Sequence, residues 1–239
     1  MNSFKSKAII IKRRNFLEKD RILTLFSENY GKIEALAKGA RQPGNRLSAN
    51  SDLATVANFH IHKTKSIDII SEIEPFFHPD GIRGQFFETQ KVSFALKIVD
   101  KLFEVEEPHF NTYQSLFTLI KAVSVRDRQL IFLKFLLDVL EDLGSLPNLT
   151  NCPLCHKQIG KDDQYFFSFQ GGITHSHCLE GECLKIKENE IKLLRILAGT
   201  ATSKVKNLKV EKKVFQNAYR VILNYFNHEF GKILPDEVM

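Results

Sequence analysis

The amino-acid sequence predicts an α+β chain: a small closed β-barrel, then a helical bundle with an inserted metal-binding module. Three observations carry this. Apolar and polar residues alternate with period two through most of the first 75 residues. From Gly84 the apolar spacing lengthens to about 3.6 residues. All four cysteines fall between Cys152 and Cys183, flanked by helical stretches.

With 239 residues and 43% hydrophobic content, the chain can bury a full core, which excludes intrinsic disorder. Its longest apolar runs, such as Leu130 to Leu133 before Lys134, fall far short of the ~20 residues that span a bilayer. Near the N-terminus only Ala8 to Ile11 is apolar before Lys12-Arg13-Arg14, too little for a secretory signal. No membrane association and a cytoplasmic location are expected.

Lys7 to Lys12 is a β-branched run, Arg21 to Phe26 a second, and Lys32 to Ala37 a third, with Asn29-Tyr30-Gly31 as the hairpin turn between the last two. A polar connection through Gln42-Pro43-Gly44-Asn45 follows. Then Ala57, Phe59 and Ile61 alternate with Asn58, His60 and His62, and Ile67 to Ile73 forms a last strand ending at Pro75. Five short strands hide their edges best by closing, and the five-stranded oligonucleotide-binding (OB) barrel is the commonest such closure. An SH3-like barrel is the runner-up. Beyond it, Tyr113, Leu116, Phe117 and Ile120 mark one helix, and Arg128 to Leu143 is apolar enough for the centre of a bundle. Gly144 and Pro147 stop it. A short helix spans about Asn189 to Ala198, and a last one carries Val214 to Phe226 up to Gly231. The expected domains are an OB barrel over 1–80, a helical domain over 81–148 and 185–239, and a zinc-ribbon-like module over 149–184.

Cys152-x-x-Cys155 forms a Pro-containing knuckle; about twenty residues later come His175, Cys178 and Cys183. Paired soft ligands at this separation suit tetrahedral zinc, with Tyr165 to Phe169 and the Gly171-Gly172 turn as the connecting hairpin. The second pair is open between His175-x-x-Cys178 and Cys178-x4-Cys183. A closed structural site is expected rather than a catalytic one, since no H-x-E or H-E-x-x-H motif supplies a general base. Nucleotide-phosphate loops and G-x-S-x-G elbows are also absent, so the sequence gives an enzyme no residues to work with.

The net charge of +6 is unevenly spread. Residues 1–46 hold eleven Lys and Arg against four acids, +7; residues 47–183 hold twelve against eighteen, −6; residues 184–239 hold eleven against six, +5. A basic head points to a polyanionic partner. Its sharpest feature is Lys38-Gly39-Ala40-Arg41 followed by Arg46, where cations project from a loop beside a glycine. Lys12, Arg13, Arg14 and Arg21 fall at strand ends and could gather with these on one rim, with Lys32 as a further member and Phe16 and Tyr30 as stacking candidates. Phe59 reads as core by alternation.

The stretch from Glu18 through Asp20-Arg-Ile-Leu-Thr-Leu-Phe26 to Lys32, running into Lys38-Gly-Ala-Arg41, closely resembles the N-terminal signature of the bacterial RecO family of recombination mediators. Ile73-Glu-Pro-Phe-Phe77, Leu136 to Gly144, Cys152-x-x-Cys155 and Tyr165-Phe-x-Ser-x-x-Gly-Gly172 are similar to later parts of the same family, so the likeness covers nearly the whole chain.

The resemblance implies a non-enzymatic protein that binds single- and double-stranded DNA, anneals complementary strands, and with RecR helps RecA replace single-strand-binding protein. It would act at the nucleoid. It implies Lys38 and Arg41 foremost as DNA contacts, then Arg21, Lys12, Arg13, Arg14, Lys32 and Arg46. The family's second C-x-x-C falls here on His175-x-x-Cys178, which implies a structural Zn2+ on Cys152, Cys155, His175 and Cys178, with Cys183 as the substitute for His175. Docking of the acidic tail of single-strand-binding protein on the helical domain is assigned to Arg126, Arg128 and Lys134. An OB-fold RNA-binding protein with a structural zinc is the competing expectation, and a zinc-dependent nucleic-acid enzyme a third.

Overall fold

The computed structural model describes residues 3–77, 86–122, 125–160 and 164–235, with the side chains of 86–89 and 125–127 left out. Two compact units make up the chain, residues 1–121 and 122–239.

The first unit opens with five strands: β1 (Ser3–Phe16), β2 (Asp20–Ser27), β3 (Gly31–Ala37), β4 (Val56–His62) and β5 (Asp68–Phe77). They close into a barrel of order β1-β2-β3-β5-β4, antiparallel throughout except where β3 meets β5 in parallel. Closure requires β1 to pair on both edges, Ser3 to Ile9 with β4 and Ala8 to Phe16 with β2. A register shift between Ile10 and Lys12 bends the strand between these two partners. This is the OB arrangement that the strand count predicts. Alternation supplies its core: Ala8, Ile10, Leu23, Leu25, Ile33, Ala35, Phe59, Ile61 and Ile73 point inward, and Phe59 is fully buried.

Part of the outer face of β1 and β2, at Ile9, Ile22, Thr24 and Phe26, is buried as well. Helices α2 (Phe86–Leu102) and α3 (Phe110–Lys121) cover it, so Phe26 meets Phe103 at 5.6 Å and Tyr113 at 6.2 Å between ring centroids. The first unit therefore runs on to residue 121, past the expected barrel boundary at residue 80, which itself lies outside the described residues. A single helical turn, α1 (Arg46–Ala49), sits between β3 and β4 and is capped by the Asn45 side chain, which accepts from the Leu47 N–H at 2.8 Å.

In the second unit, α4 (Val125–Asp142) is the central helix; Leu130 to Leu137, Val139 and Leu140 are all buried. Around it lie α5 (Glu188–Gly199), α6 (Thr202–Val205) and α7 (Lys212–Phe230), whose Ala218, Val221, Ile222, Tyr225 and Phe226 form the predicted apolar stripe. Between α4 and α5 the chain forms a three-stranded antiparallel sheet, β6 (Tyr165–Ser168), β7 (Gly172–His175) and β8 (Cys183–Ile186), in the order β7-β6-β8. Phe167 of β6 packs against Tyr225 of α7 at 5.3 Å. Gly172 comes so close to Asn148 that a Cβ would lie 2.2 Å from the Asn148 carbonyl oxygen, which leaves room for glycine alone. That contact is part of a short ladder, with Asn148 N–H donating to Gly171 C=O at 2.7 Å and Ile173 N–H to Asn148 C=O at 2.9 Å.

Among the described residues, no helix is long and apolar enough to cross a membrane.

Candidate nucleic-acid interface and metal centre

Strand parity sorts the basic candidates of the barrel into two sets. Arg13 pairs with Leu23, while Arg21 shares the face of Leu23 and Leu25; both side chains thus continue the inward-facing rows past the end of the core and lie over the barrel mouth. Arg13 pairs with Asp52, and Arg21 donates to the Ser51 hydroxyl at 2.6 Å. The Lys38-Gly39-Ala40-Arg41 turn packs beside them. Gly39, at φ +69°, donates its N–H to Asp20 Oδ1 at 2.7 Å, and a Cβ there would lie 2.4 Å from the Asn45 amide. The Arg41 N–H donates to Lys19 C=O at 2.9 Å and its guanidinium to Leu17 C=O at 3.0 Å. Partial burial lowers the Arg21 pKa from its ordinary value; Arg13 and Arg41 lower it further, and Asp52 opposes them. Three guanidiniums therefore share one neighbourhood, with Asp52 paired to Arg13 and Asp20 engaged by the Gly39 N–H. Lys38, Arg41 and Arg46 are exposed.

The other set faces outward. Lys12 pairs with Asp100 of α2 at 2.8 Å, and Lys32 donates to the Asp100 carbonyl at 2.8 Å, where a cation complements the end of a helix. Arg14 lies 3.9 Å from Glu34. Lys12 and Lys32 thus hold the helical cover on the barrel instead of joining the rim, and Arg14 stands on the same outer face.

In the second unit the four expected ligands converge. Cys152, Cys155, His175 and Cys178 place one donor atom each within 4.8 Å of one another. Cys155 Sγ lies 3.5 Å from His175 Nδ1. The knuckle is shaped by Cys152 N–H donating to Lys157 C=O and His156 N–H to Cys152 C=O, both at 2.9 Å. His175 ends β7, and Cys178 follows in a 3-10 turn over Ser176–Cys178. Cys183 does not join them: it sits on β8 opposite Ser168, its thiol 3.4 Å from the Glu180 carbonyl, so the alternative to His175 is set aside.

A tetrahedral zinc with thiolate bonds of about 2.3 Å needs donors about 3.8 Å apart, which this quartet meets with small adjustments. The thiols also suit a cation. Burial resists ionisation of Cys152, but the Thr174 hydroxyl at 3.3 Å and the backbone N–H groups of Cys155, His175 and Leu154 outweigh it and lower its pKa. Cys178 is pushed up by burial, by hydrogen bonds with Cys155 and Cys152, and by their charge. Three thiols crowded together cannot all ionise without a countercharge, and a divalent cation would supply it.

Two candidates for partner docking do not reach the surface. Arg128 is 8% exposed and donates to Ala122 C=O at 2.7 Å; Lys134 is 5% exposed and paired with the buried Asp138. Both complete the interior of the α4 bundle, because a buried charge requires a partner there, and neither side chain offers an acidic tail an exposed cation. The Arg126 side chain lies outside the described residues.

A closed barrel of OB topology with a cationic mouth, joined to a helical unit bearing a Cys3His cluster, defines a class of OB-barrel protein with an appended metal module. Two family profiles make it specific: one described as "Recombination protein O N terminal" matches residues 1–77, and one described as "Recombination protein O C terminal" matches residues 85–236. Curated relatives agree. The DNA repair protein RecO of Acetivibrio thermocellus is 30% identical over 239 residues, 97% of this chain and 94% of that protein. That of Desulforamulus reducens is 27% identical over 236 residues, 98% and 92% of the two chains. That of Desulfitobacterium hafniense is 29% identical over 178 residues, covering 74% of this chain and 65% of the relative. The chain belongs to the RecO family of recombination and DNA-repair proteins.

Proposed function

We propose that the chain is a non-catalytic recombination mediator: it binds single- and double-stranded DNA through the barrel mouth, anneals complementary strands, and works with RecR to exchange single-strand-binding protein for RecA. The observation that carries this reading is the convergence of Arg13, Arg21 and Arg41 on one rim, where Asp52 pairs with Arg13. Arginine forks grip phosphate oxygens in pairs, exposed Arg46 offers a further fork, and exposed Lys38 adds point charge without reading bases. Annealing needs phosphates of two strands neutralised while the bases stay free to pair, which such a surface favours. Lys12 and Lys32 are secondary in this scheme because α2 already engages them. Zinc on Cys152, Cys155, His175 and Cys178 would be structural; it would close the small sheet and do no chemistry on DNA. The tail of single-strand-binding protein would dock on the helical unit, at a place other than Arg128 and Lys134.

Annealing of complementary strands coated with cognate single-strand-binding protein tests the reading. Acceleration by the chain is expected at low salt. Lys38→Ala with Arg41→Ala should weaken DNA binding and reduce the salt slope by about one to two charges. Absence of annealing, or an unchanged slope, would remove the mediator role or these residues in turn.

A further inference from the structure

Between β1 and β2 the chain turns through Leu17 to Lys19, and the turn is built against expectation. Leu17 is 72% exposed, the largest value among the exposed large hydrophobic residues described, and its φ of +49° is a conformation that favours glycine or asparagine. Phe16 beside it is also exposed. An isolated surface leucine means little. Here, however, the protein keeps an apolar side chain where both solvent and backbone disfavour it, and fixes the backbone from outside: the Arg41 guanidinium holds Leu17 C=O, and the Arg41 N–H holds Lys19 C=O. Strain supported by surrounding structure marks a position whose side chain has a task. The residue that clamps the turn is one of the cations of the barrel mouth, so the apolar tip stands beside the arginine cluster.

We propose that Leu17 with Phe16 forms an apolar wedge that contacts unpaired nucleobases of a single strand whose phosphates lie on the arginine rim. The proposal rests on the DNA-binding reading above and extends it from backbone to bases. Phosphate contacts alone would hold a strand in any base orientation. A side chain packed on base faces would keep a strand unstacked and available for pairing, and apolar wedges are used on nucleic acids in this way. The occupant is nucleobase because the apolar tip has a cationic surround, matching a ligand whose apolar faces hang from an anionic backbone.

The chain contains no tryptophan, so Leu17→Trp introduces a single indole fluorophore at the tip. Titration of that full-length variant with oligothymidylate should quench its emission and protect it from iodide, while inorganic polyphosphate, a polyanion without bases, should do neither. Leu17→Asn keeps the turn and removes the wedge; it should bind oligothymidylate about five- to tenfold more weakly with an unchanged salt slope, and polyphosphate as the parent does. The wedge is overturned if oligothymidylate binds the Leu17→Trp variant with a normal salt slope yet leaves its indole emission unchanged. It is also overturned if Leu17→Asn binds like the parent, or if the emission follows protein concentration without DNA, which would make the tip a contact between two copies. Loss of all DNA binding in the parent chain would instead be seen as a flat isotherm for every probe and would bring down the underlying reading with it.

Discussion

The barrel and the Cys3His sheet are both small antiparallel-rich β-structures in one chain, yet they are held by different forces. The barrel has strands of seven to fourteen residues, no free edge, and an interior filled by the alternate side chains of all five. The small sheet has three strands of four residues each; Tyr165, Phe167, Ile173 and Ile186 are buried, with Phe167 packed against Tyr225 of α7. Closure substitutes for size in the first. In the second, a small apolar cluster leans on α7, and the Cys3His quartet could add a metal cross-link, as suits a segment too short to bury much surface alone. The comparison teaches that β-pattern alone does not tell what makes a sheet persist.

The largest effect should come from removing the metal ligands. Cys152→Ala with Cys155→Ala is expected to abolish about one bound zinc per chain and to cost several kcal/mol in the small sheet. Amide exchange would speed up across 149–186 and stay slow in the barrel. Elemental analysis showing no zinc in a fully stable parent protein would refute the closed site. Phe59→Ala reverses the comparison, with an expected loss of about 3–5 kcal/mol confined to the barrel and metal content unchanged; denaturant unfolding followed by zinc release checks it. Lys32→Ala should cost about 1 kcal/mol by freeing the Asp100 carbonyl at the end of α2, with no change in the salt slope of DNA binding. A reduced slope would return Lys32 to the interface.

The smallest effect concerns two buried phenols, one in each unit. Burial raises the pKa of Tyr113, with help from Glu28, and of Tyr219, and neither hydroxyl has a hydrogen-bond partner among the described residues. Both stay neutral in the folded chain. Their contribution is complete below the unfolded tyrosine value of about 10 and is lost as pH climbs from there toward the raised folded value. Tyr219→Phe should therefore be neutral to slightly stabilising at pH 7, by up to about 1 kcal/mol, and should flatten the alkaline fall in melting temperature. A melting temperature that falls as steeply as in the parent would contradict this.

Much of the barrel was legible because period-two alternation is a local signal: Ala57, Phe59 and Ile61 are buried as their spacing predicts. The ligand quartet was legible from Cys152-x-x-Cys155 and from the family's spacing after Gly172, but β8 was not. Its four residues are too few to show a period, so Cys183 reads as an alternative ligand to His175 rather than as a strand residue. Lys12 and Lys32 carry the same charge signal as Arg13 and Arg21 along the chain; strand parity turns them to the other face, and the docked α2 shows what they hold there. Lys134 lies four residues before Asp138 on an otherwise apolar helix, a pattern that fits an internal ion pair better than a docking surface. Leu17 carried no signal at all, since a left-handed leucine is visible only in backbone geometry.

β1 is the barrel's seam, paired on one side with a near neighbour in sequence and on the other with residues 56–62. As the chain leaves the ribosome, β2 can fold back on β1 at once, whereas the opposite edge of β1 waits until some fifty further residues have been made. During that interval the edge is a ready template for wrong partners. Lys5 and Lys7, which later face His60 and Asn58, stand along that waiting edge and discourage another strand from docking there. Charge placed there suits a strand that waits for its mate, and in the folded chain Lys7 goes on to sit over the Phe76 and Phe117 rings.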